Sequence, residues 1–217
     1  MNNLKNHISY LKYLTENYNF HCGWMSDETL YLISGYIKYY KPSLVIHTGF
    51  LWGKSSAFVL DALQDEQIEL NPENSRDQDF YNFCKEHSPQ RTNYLLIAID
   101  NNMFNLNIDL ANKYLTDTCG HFLLYNMSSD QFFLENKDNI NKNETIMGIV
   151  DGDHTKDGCW NDLINLKSLN TKIIIVDDTI WIPYLDKLCQ RFADEYNYDY
   201  INHKLYSGLG ILIRRKV

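Results

Sequence analysis

Ile146-Met147-Gly148-Ile149-Val150-Asp151-Gly152-Asp153-His154 and Ile173-Ile174-Ile175-Val176-Asp177-Asp178-Thr179 are the stretches on which the reading of this chain turns. Each is a short apolar run, rich in β-branched residues, that ends in acids. Such runs read as strands buried on both faces, as in a parallel sheet. In an open α/β sheet, ligands bind outside the carboxyl ends of the strands, and both acidic clusters fall there. Two charges about 4 Å apart repel by roughly 4 kcal/mol at an effective dielectric of 20. A metal ion, a bound proton or a cationic ligand relieves such repulsion, and each implies function. The bland alternative is a set of acids that point apart into water and cap helices. Two clusters separated by one helix-length crossover weigh against it.

The rest of the chain supplies the partners such strands need. Residues 43–46, 94–100, 121–125, 145–150 and 172–176 read as parallel strands, and 198–203 with 209–214 as a closing hairpin. Between them lie helical patterns at 54–63 and 107–115, around Phe132 and Phe133, around Trp160, Leu163 and Ile164, and at 183–196. Two N-terminal helices are expected within residues 1–42. One carries Leu4, Ile8, Leu11 and Leu14 at mixed three and four spacing. The other starts at the N-cap Ser26, buries Leu30, Ile33 and Ile37, and stops before Lys41-Pro42. Residues 65–93 are polar, contain Pro72 and Pro89, and are long for a connection in a compact unit, which marks an inserted loop or lid. The expectation is a Rossmann-like, doubly wound, seven-stranded α/β sheet, mostly parallel, with an antiparallel C-terminal hairpin and N-terminal helices. A single domain spans 1–217.

Bulk properties narrow the functional classes. The 217 residues suit one core. A net charge of −8 argues against non-specific nucleic-acid binding, which rests on basic surface. No apolar run reaches the roughly 20 residues that span a bilayer. The N-terminus lacks the charged-then-apolar order of a signal peptide. The five cysteines, Cys22, Cys84, Cys119, Cys159 and Cys189, show no CxxC pair. That is the usage of a reducing compartment, and a cytoplasmic location is expected. Partners are expected to be a small-molecule acceptor, with no nucleic acid and no membrane; a homo-oligomer is compatible with the chain.

The turn His47-Thr48-Gly49-Phe50-Leu51-Trp52-Gly53-Lys54-Ser55-Ser56 follows the first strand and opens a helix. Its glycines let backbone approach a ligand, and the helix start offers free N–H groups. A dinucleotide turn needs G-x-G-x-x-G, and only Gly49 and Gly53 are present. A P-loop is nearer, since Gly53-Lys54-Ser55 matches its end and Ile173–Asp177 its Walker B strand. It needs four residues between its glycines, however, and Phe50-Leu51-Trp52 are three and bulky. It stays as the runner-up.

The run from Val45 to Ser55 resembles motif I of the class I S-adenosylmethionine (SAM)-dependent methyltransferases, whose small-molecule form reads as an acid, an apolar residue and G-T-x-x-G-x-S. Asp151-Gly152-Asp153-His154 and Asp177-Asp178-Thr179-Ile180-Trp181 are similar to the paired D-x-D and D-[ND]-T-x-W motifs of metal-dependent O-methyltransferases. The D-G-D-H-T form resembles the cephalosporin hydroxylase-like and macrolide sugar O-methyltransferase branch, and the caffeoyl-CoA type is close to it. The likeness spans about residues 24–215 in order. It implies O-methylation of a small-molecule hydroxyl by SAM, assisted by a divalent ion such as Mg²⁺. It places SAM on His47, Thr48, Gly49, Gly53, Ser55, Asp100, Asn101, Ser128 and Asp151, with Asp100 on the ribose. It puts the metal on Asp151, Asp177 and Asp178, and the catalytic role on His154 with Asp151. His47 stands where the family carries an acid, and His154 where the catechol type carries a lysine. The lost acid keeps a second reading open, a SAM-binding protein of this fold without catalysis. Trp52, Trp181 and the His21-Cys22-Trp24 segment are either core aromatics and packing turns or walls of an acceptor site.

Overall fold

The computed structural model describes residues 25–51, 53–65, 94–101, 108–117, 121–140 and 145–216. All of the 65–93 segment read as a lid lies outside them except Asp65, which ends a helix. The expected helix at 4–19, Trp52, and the residues His21, Cys22 and Trp24 also lie outside them.

Helix α1 (Asp27–Tyr40) leads into β1 (Leu44–Thr48), α2 (Lys54–Asp65) and β2 (Leu95–Asp100). Then come α3 (Ile108–Asp117), β3 (Phe122–Asn126), α4 (Ser129–Asn136) and β4 (Ile146–Val150). Helix α5 (Lys156–Ser168), β5 (Ile173–Asp177), α6 (Pro183–Tyr196), β6 (Tyr198–His203) and β7 (Leu209–Arg214) complete the chain. The seven strands are ordered β3-β2-β1-β4-β5-β7-β6. The first five pair in parallel, and β7 enters antiparallel between β5 and β6.

Successive strand side chains point to opposite faces, and each face of this sheet is covered. Val45, Leu96, Met147, Ile149 and Ile175 pack with α1, α2 and Leu115 of α3. Leu44, Ile46, Ile97, Val150, Ile174 and Val176 pack with α4, α5 and α6. Each fully buried Leu, Ile or Val contributes about 1.5–3 kcal/mol of transfer free energy, which is what holds helices to both faces. Gly148 of β4 has a specific job, because a Cβ there would lie 2.5 Å from the Leu166 side chain of α5.

Two strands run further than their apolar residues suggest. The sequence ends the first at Ile46, but His47 and Thr48 continue the ladder, opposite Ala98 and Ile99 on one side and Ile149 and Val150 on the other. Both are buried and both find hydroxyl or carboxylate partners. His47 Nδ1 lies 3.1 Å from Ser56 Oγ, and Thr48 Oγ1 donates to Asp162 Oδ2 at 2.8 Å. The fifth strand likewise includes Asp177, whose carboxylate accepts from Ser207 Oγ at 3.2 Å. Polar residues stay in a buried ladder when their hydrogen bonds are supplied.

Lys54 does not behave as a phosphate-binding lysine. Its Nζ donates to Asp27 Oδ1 at 2.9 Å and to the Met25 carbonyl at 3.3 Å. With the antiparallel β7 and the sheet order above, the P-loop reading is set aside. Among the described residues Cys159 and Cys189 are free and buried, acting as small hydrophobes. No helix among them is long and apolar enough to cross a membrane.

Candidate functional site

The strand order reverses between β1 and β4, and a cleft of about 320 Å³ opens at the carboxyl ends of the strands there. Its floor is made by the turns after β1 and β4, which touch. The Asp151 N–H donates to the Thr48 carbonyl at 2.9 Å, and the Gly49 N–H to the Ile99 carbonyl at 2.8 Å. Gly49 has φ +82°, and a Cβ on it would lie 2.1 Å from the Asp151 carbonyl oxygen. No other residue fits this contact.

Beside this floor, Asp100 at the end of β2 accepts the Leu51 N–H at 3.0 Å. Thr48, Gly49, Asp100, Asn101, Ser128 and Asp151 all line the cleft. Ser128 is also the N-cap of α4, its hydroxyl accepting the Gln131 N–H at 3.2 Å. His47, Gly53 and Ser55, grouped with these by sequence, do not line the cleft. His47 is wholly buried beside Ser56, and burial lowers its pKa to about 3, so it is neutral. The Gly53 N–H closes the turn on the Phe50 carbonyl at 2.8 Å. Ser55 is buried in the first turn of α2.

At the other end of the cleft the two acidic clusters converge. Asp178 adopts φ +60°, which breaks the alternation of the strand and turns its side chain back toward β4. His154 lies between the clusters, with Nδ1 3.3 Å from Asp178 Oδ2 and Nε2 3.7 Å from Asp151 Oδ1. Burial raises the pKa of Asp151 well above the usual carboxylate range, and the charges of Asp177, Asp178 and Asp100 raise it further. Asp177 is pushed up to about 7 by burial and by Asp178, against the opposing hydrogen bonds from the Asp178 N–H and Ser207. Burial also raises Asp178, while His154 and Ser207 counteract it. His154 itself is lowered, because burial outweighs the attraction of Asp178 and Asp153. It is therefore neutral at pH 7 and able to take a proton, and its buried Nε2 has no hydrogen-bond partner among the described residues. The Tyr184 hydroxyl donates to the His154 carbonyl and fixes this turn to α6.

Asp151, Asp177 and Asp178 suit a hard divalent cation by donor type, and their mutual repulsion is what a cation would remove. Among the described residues, no three His, Cys, Asp or Glu side chains are yet drawn together as a bound ion requires. Trp181 is not a core residue. It is half exposed, lines the cleft and meets Tyr206 edge-on at 4.9 Å between ring centroids.

The sequence reading passed over two residues of this site. Ser207, in the β6–β7 turn, donates to Asp177. Asp162 lines the cleft from α5 and is 1% exposed. A signal for it exists, since it occupies the same buried stripe as Cys159, Leu163 and Leu166, where a carboxylate is out of place.

No protein-family model matches the sequence, and no curated protein matches it significantly. Solved structures do match. An SAH-bound methyltransferase of Podospora anserina superposes with TM-score 0.67 at 10% identity, over 97% of this chain and 88% of that one. The O-methyltransferase TomG of Streptomyces achromogenes, involved in tomaymycin synthesis and in complex with SAM, gives 0.66 at 11% identity, over 96% and 90%. An O-methyltransferase of Bacillus cereus in complex with SAH gives 0.66 at 10% identity, over 97% and 91%. The chain has the class I O-methyltransferase fold. In this methyltransferase fold the cleft described above lies at the topological switch point, where open α/β sheets take their ligands.

Proposed function

We propose that the protein is a SAM-dependent methyltransferase that methylates a hydroxyl oxygen of a small molecule with the help of a divalent cation. The observation that carries this reading is the neutral, unpartnered His154 Nε2 between Asp151 and Asp178, in the same cleft as the Gly49 turn and Asp100. SAM-bound and SAH-bound proteins of the same fold support the choice of cofactor.

On this reading Gly49 lets the backbone approach the cofactor and Asp100 accepts hydrogen bonds from its ribose hydroxyls. Asp151, Asp177 and Asp178 are the residues that would hold the cation. When bound, SAM supplies the electrophilic methyl group and the cation lowers the pKa of the acceptor hydroxyl. The contribution of the chain is alignment and proton transfer. Trp181 lines the mouth of the cleft, and His154 Nε2 would take the proton that the acceptor hydroxyl gives up as its oxygen gains the methyl group and the sulfonium C–S bond breaks to leave SAH. His47 is buried beside Ser56 and does not line the cleft, so the motif I position offers no acid to the cofactor, and a SAM-binding protein of this fold without catalysis stays the alternative reading.

The test is direct. Calorimetry should detect SAM binding, and Asp100→Ala should weaken it at least tenfold, or about 1.4 kcal/mol. Methyl transfer to a panel of hydroxyl acceptors should stop in excess chelator and return with Mg²⁺ or Mn²⁺. His154→Ala should lose roughly 10²–10⁴-fold in rate while SAM affinity stays constant. SAM binding without turnover on any acceptor would return the non-catalytic reading, and full activity in chelator would remove the cation.

A further inference from the structure

Asp178 turns into the cleft through left-handed backbone, at φ +60°, a region that L side chains seldom adopt. Such a conformation persists only where its surroundings hold it. A return to strand geometry would turn the carboxylate away from β4. The Ile180 and Trp181 N–H groups further along the turn are taken by the Ser207 carbonyl. The residue directly after Asp178 is Thr179, which is 1% exposed and has a side-chain hold of its own. Its Oγ1 donates to Asn202 Oδ1 of β6 at 3.1 Å.

The direction of that bond is fixed from outside the site. Asn202 Nδ2 donates to Asp186 Oδ1 of α6 at 2.7 Å, and the Tyr200 hydroxyl donates to the same oxygen at 2.8 Å. Gln190 Nε2 donates to Asp186 Oδ2 at 3.1 Å. A carboxylate only accepts, so Asn202 must turn its N–H₂ group to Asp186 and its carbonyl to Thr179. That carbonyl also only accepts, which leaves the Thr179 hydroxyl to donate. The sheet makes room for the contact. Asn202 stands opposite Gly210 of β7, which on its other side stands opposite Val176 of β5. A Cβ on Gly210 would lie 3.0 Å from Thr179 Cγ2 and 3.1 Å from Tyr200 Cε2. The missing side chain lets β6 and the turn after β5 meet across β7.

We propose that Asn202 is a positioning residue, oriented by Asp186, which acts through Thr179 to hold the Asp178 carboxylate where a divalent cation can use it. This rests on the cation reading of the cleft. Asn202 does not itself line the cleft. The bonds of Asp186 to Tyr200 and Gln190 dock α6 on β6, and the Thr179–Asn202 bond is what carries that docking to the acidic turn.

The experiment titrates Mn²⁺ into the full chain without acceptor and follows free Mn²⁺ by electron paramagnetic resonance. The wild type should show a site that Asp178→Ala removes. Thr179→Val keeps the shape of the side chain without its hydroxyl. It should weaken that site roughly tenfold, within the range of couplings between contacting residues. Thr179→Ser keeps the hydroxyl and should keep the affinity. Asn202→Ala should weaken Mn²⁺ binding as Thr179→Val does, and the double variant no further, because both remove one link. SAM affinity, read by calorimetry, should stay constant in all of them. A role confined to packing would lower stability in urea and leave Mn²⁺ affinity unmoved. Unchanged Mn²⁺ affinity in Thr179→Val, or losses that add in the double variant, overturns the assignment. Thr179→Val decides alone where Asn202→Ala does not fold. A wild type without a Mn²⁺ site overturns the cation reading together with the proposal, whereas a wild-type site indifferent to Thr179 overturns the proposal only.

Discussion

At the scale of single residues, Gly49 and Asp162 make opposite demands on the chain. Gly49 is fixed by geometry, through both its positive φ and the 2.1 Å approach of its missing Cβ to the Asp151 carbonyl. Gly49→Ala should therefore destabilise by about 2–4 kcal/mol in urea unfolding, as strained and overpacked sites do. Gly152→Ala, whose Cβ would meet Gly49 N at 3.3 Å, should be milder. Equal effects would show that the contact between the two turns is soft. Asp162 is governed by electrostatics, its pKa raised from 3.8 to about 6 by burial, with the charges of Asp130 and Asp153 adding to it. The folded state thus holds this proton more tightly than the unfolded chain. That contribution is full at low pH and is lost as pH rises through 6. Asn does not titrate, so Asp162→Asn should gain on the wild type by about 2 kcal/mol between pH 4.5 and 7.5. Urea unfolding at the two pH values checks this, and a constant gap would mean that Asp162 is ionised throughout. Both residues show what a sequence displays and what it hides. The acids of 151–154 and 177–178 were legible because they interrupt apolar runs. Asp162 was hidden because a helix face mixes polar and apolar positions, and only its place on the buried stripe distinguishes it.

At the scale of elements, the acidic turn after β5 is held by the turn between β6 and β7. The Ile180 and Trp181 N–H groups donate to the Ser207 carbonyl at 2.8 and 3.1 Å, and Ser207 Oγ donates to Asp177. Gly208 allows this approach, since a Cβ there would lie 2.4 Å from Ile180 N. Ser207→Ala leaves a buried carboxylate oxygen without its donor and should cost about 1–3 kcal/mol in unfolding free energy. No change in stability would mean that water replaces the hydroxyl. The strands and helices themselves were legible throughout the described residues. The spans of α6, β6 and β7 coincide with their sequence patterns, because Pro183 fixes the helix start and alternation fixes the hairpin. Pattern alone could not show that β1 and β5 continue through polar residues, which stay in the ladder only because distant groups bond them.

At the scale of the molecule, the parallel array with its reversal between β1 and β4 gathers a site from residues far apart in sequence. SAM at 100 times its dissociation constant should stabilise such a fold by about 2.7 kcal/mol, raising Tm by roughly 5–10 °C for a chain of this size. Differential scanning fluorimetry measures the shift, and its absence at millimolar SAM would argue against the cofactor. Sequence foresaw the seven strands and the antiparallel hairpin, but not that β7 inserts between β5 and β6, since hairpin patterning carries no record of which partner lies on its other edge. That insertion has a bearing on how the protein is made. A nascent chain that has emerged only as far as Tyr196 already contains Gly49, Asp100, Asp151, His154 and Asp178, yet β5 is still an open edge and nothing grips the turn beyond it. The cleft is complete only when the last strand to be synthesised has threaded between two others. Chains stalled on the ribosome before residue 198 should therefore carry every acid of the site and still bind no ligand.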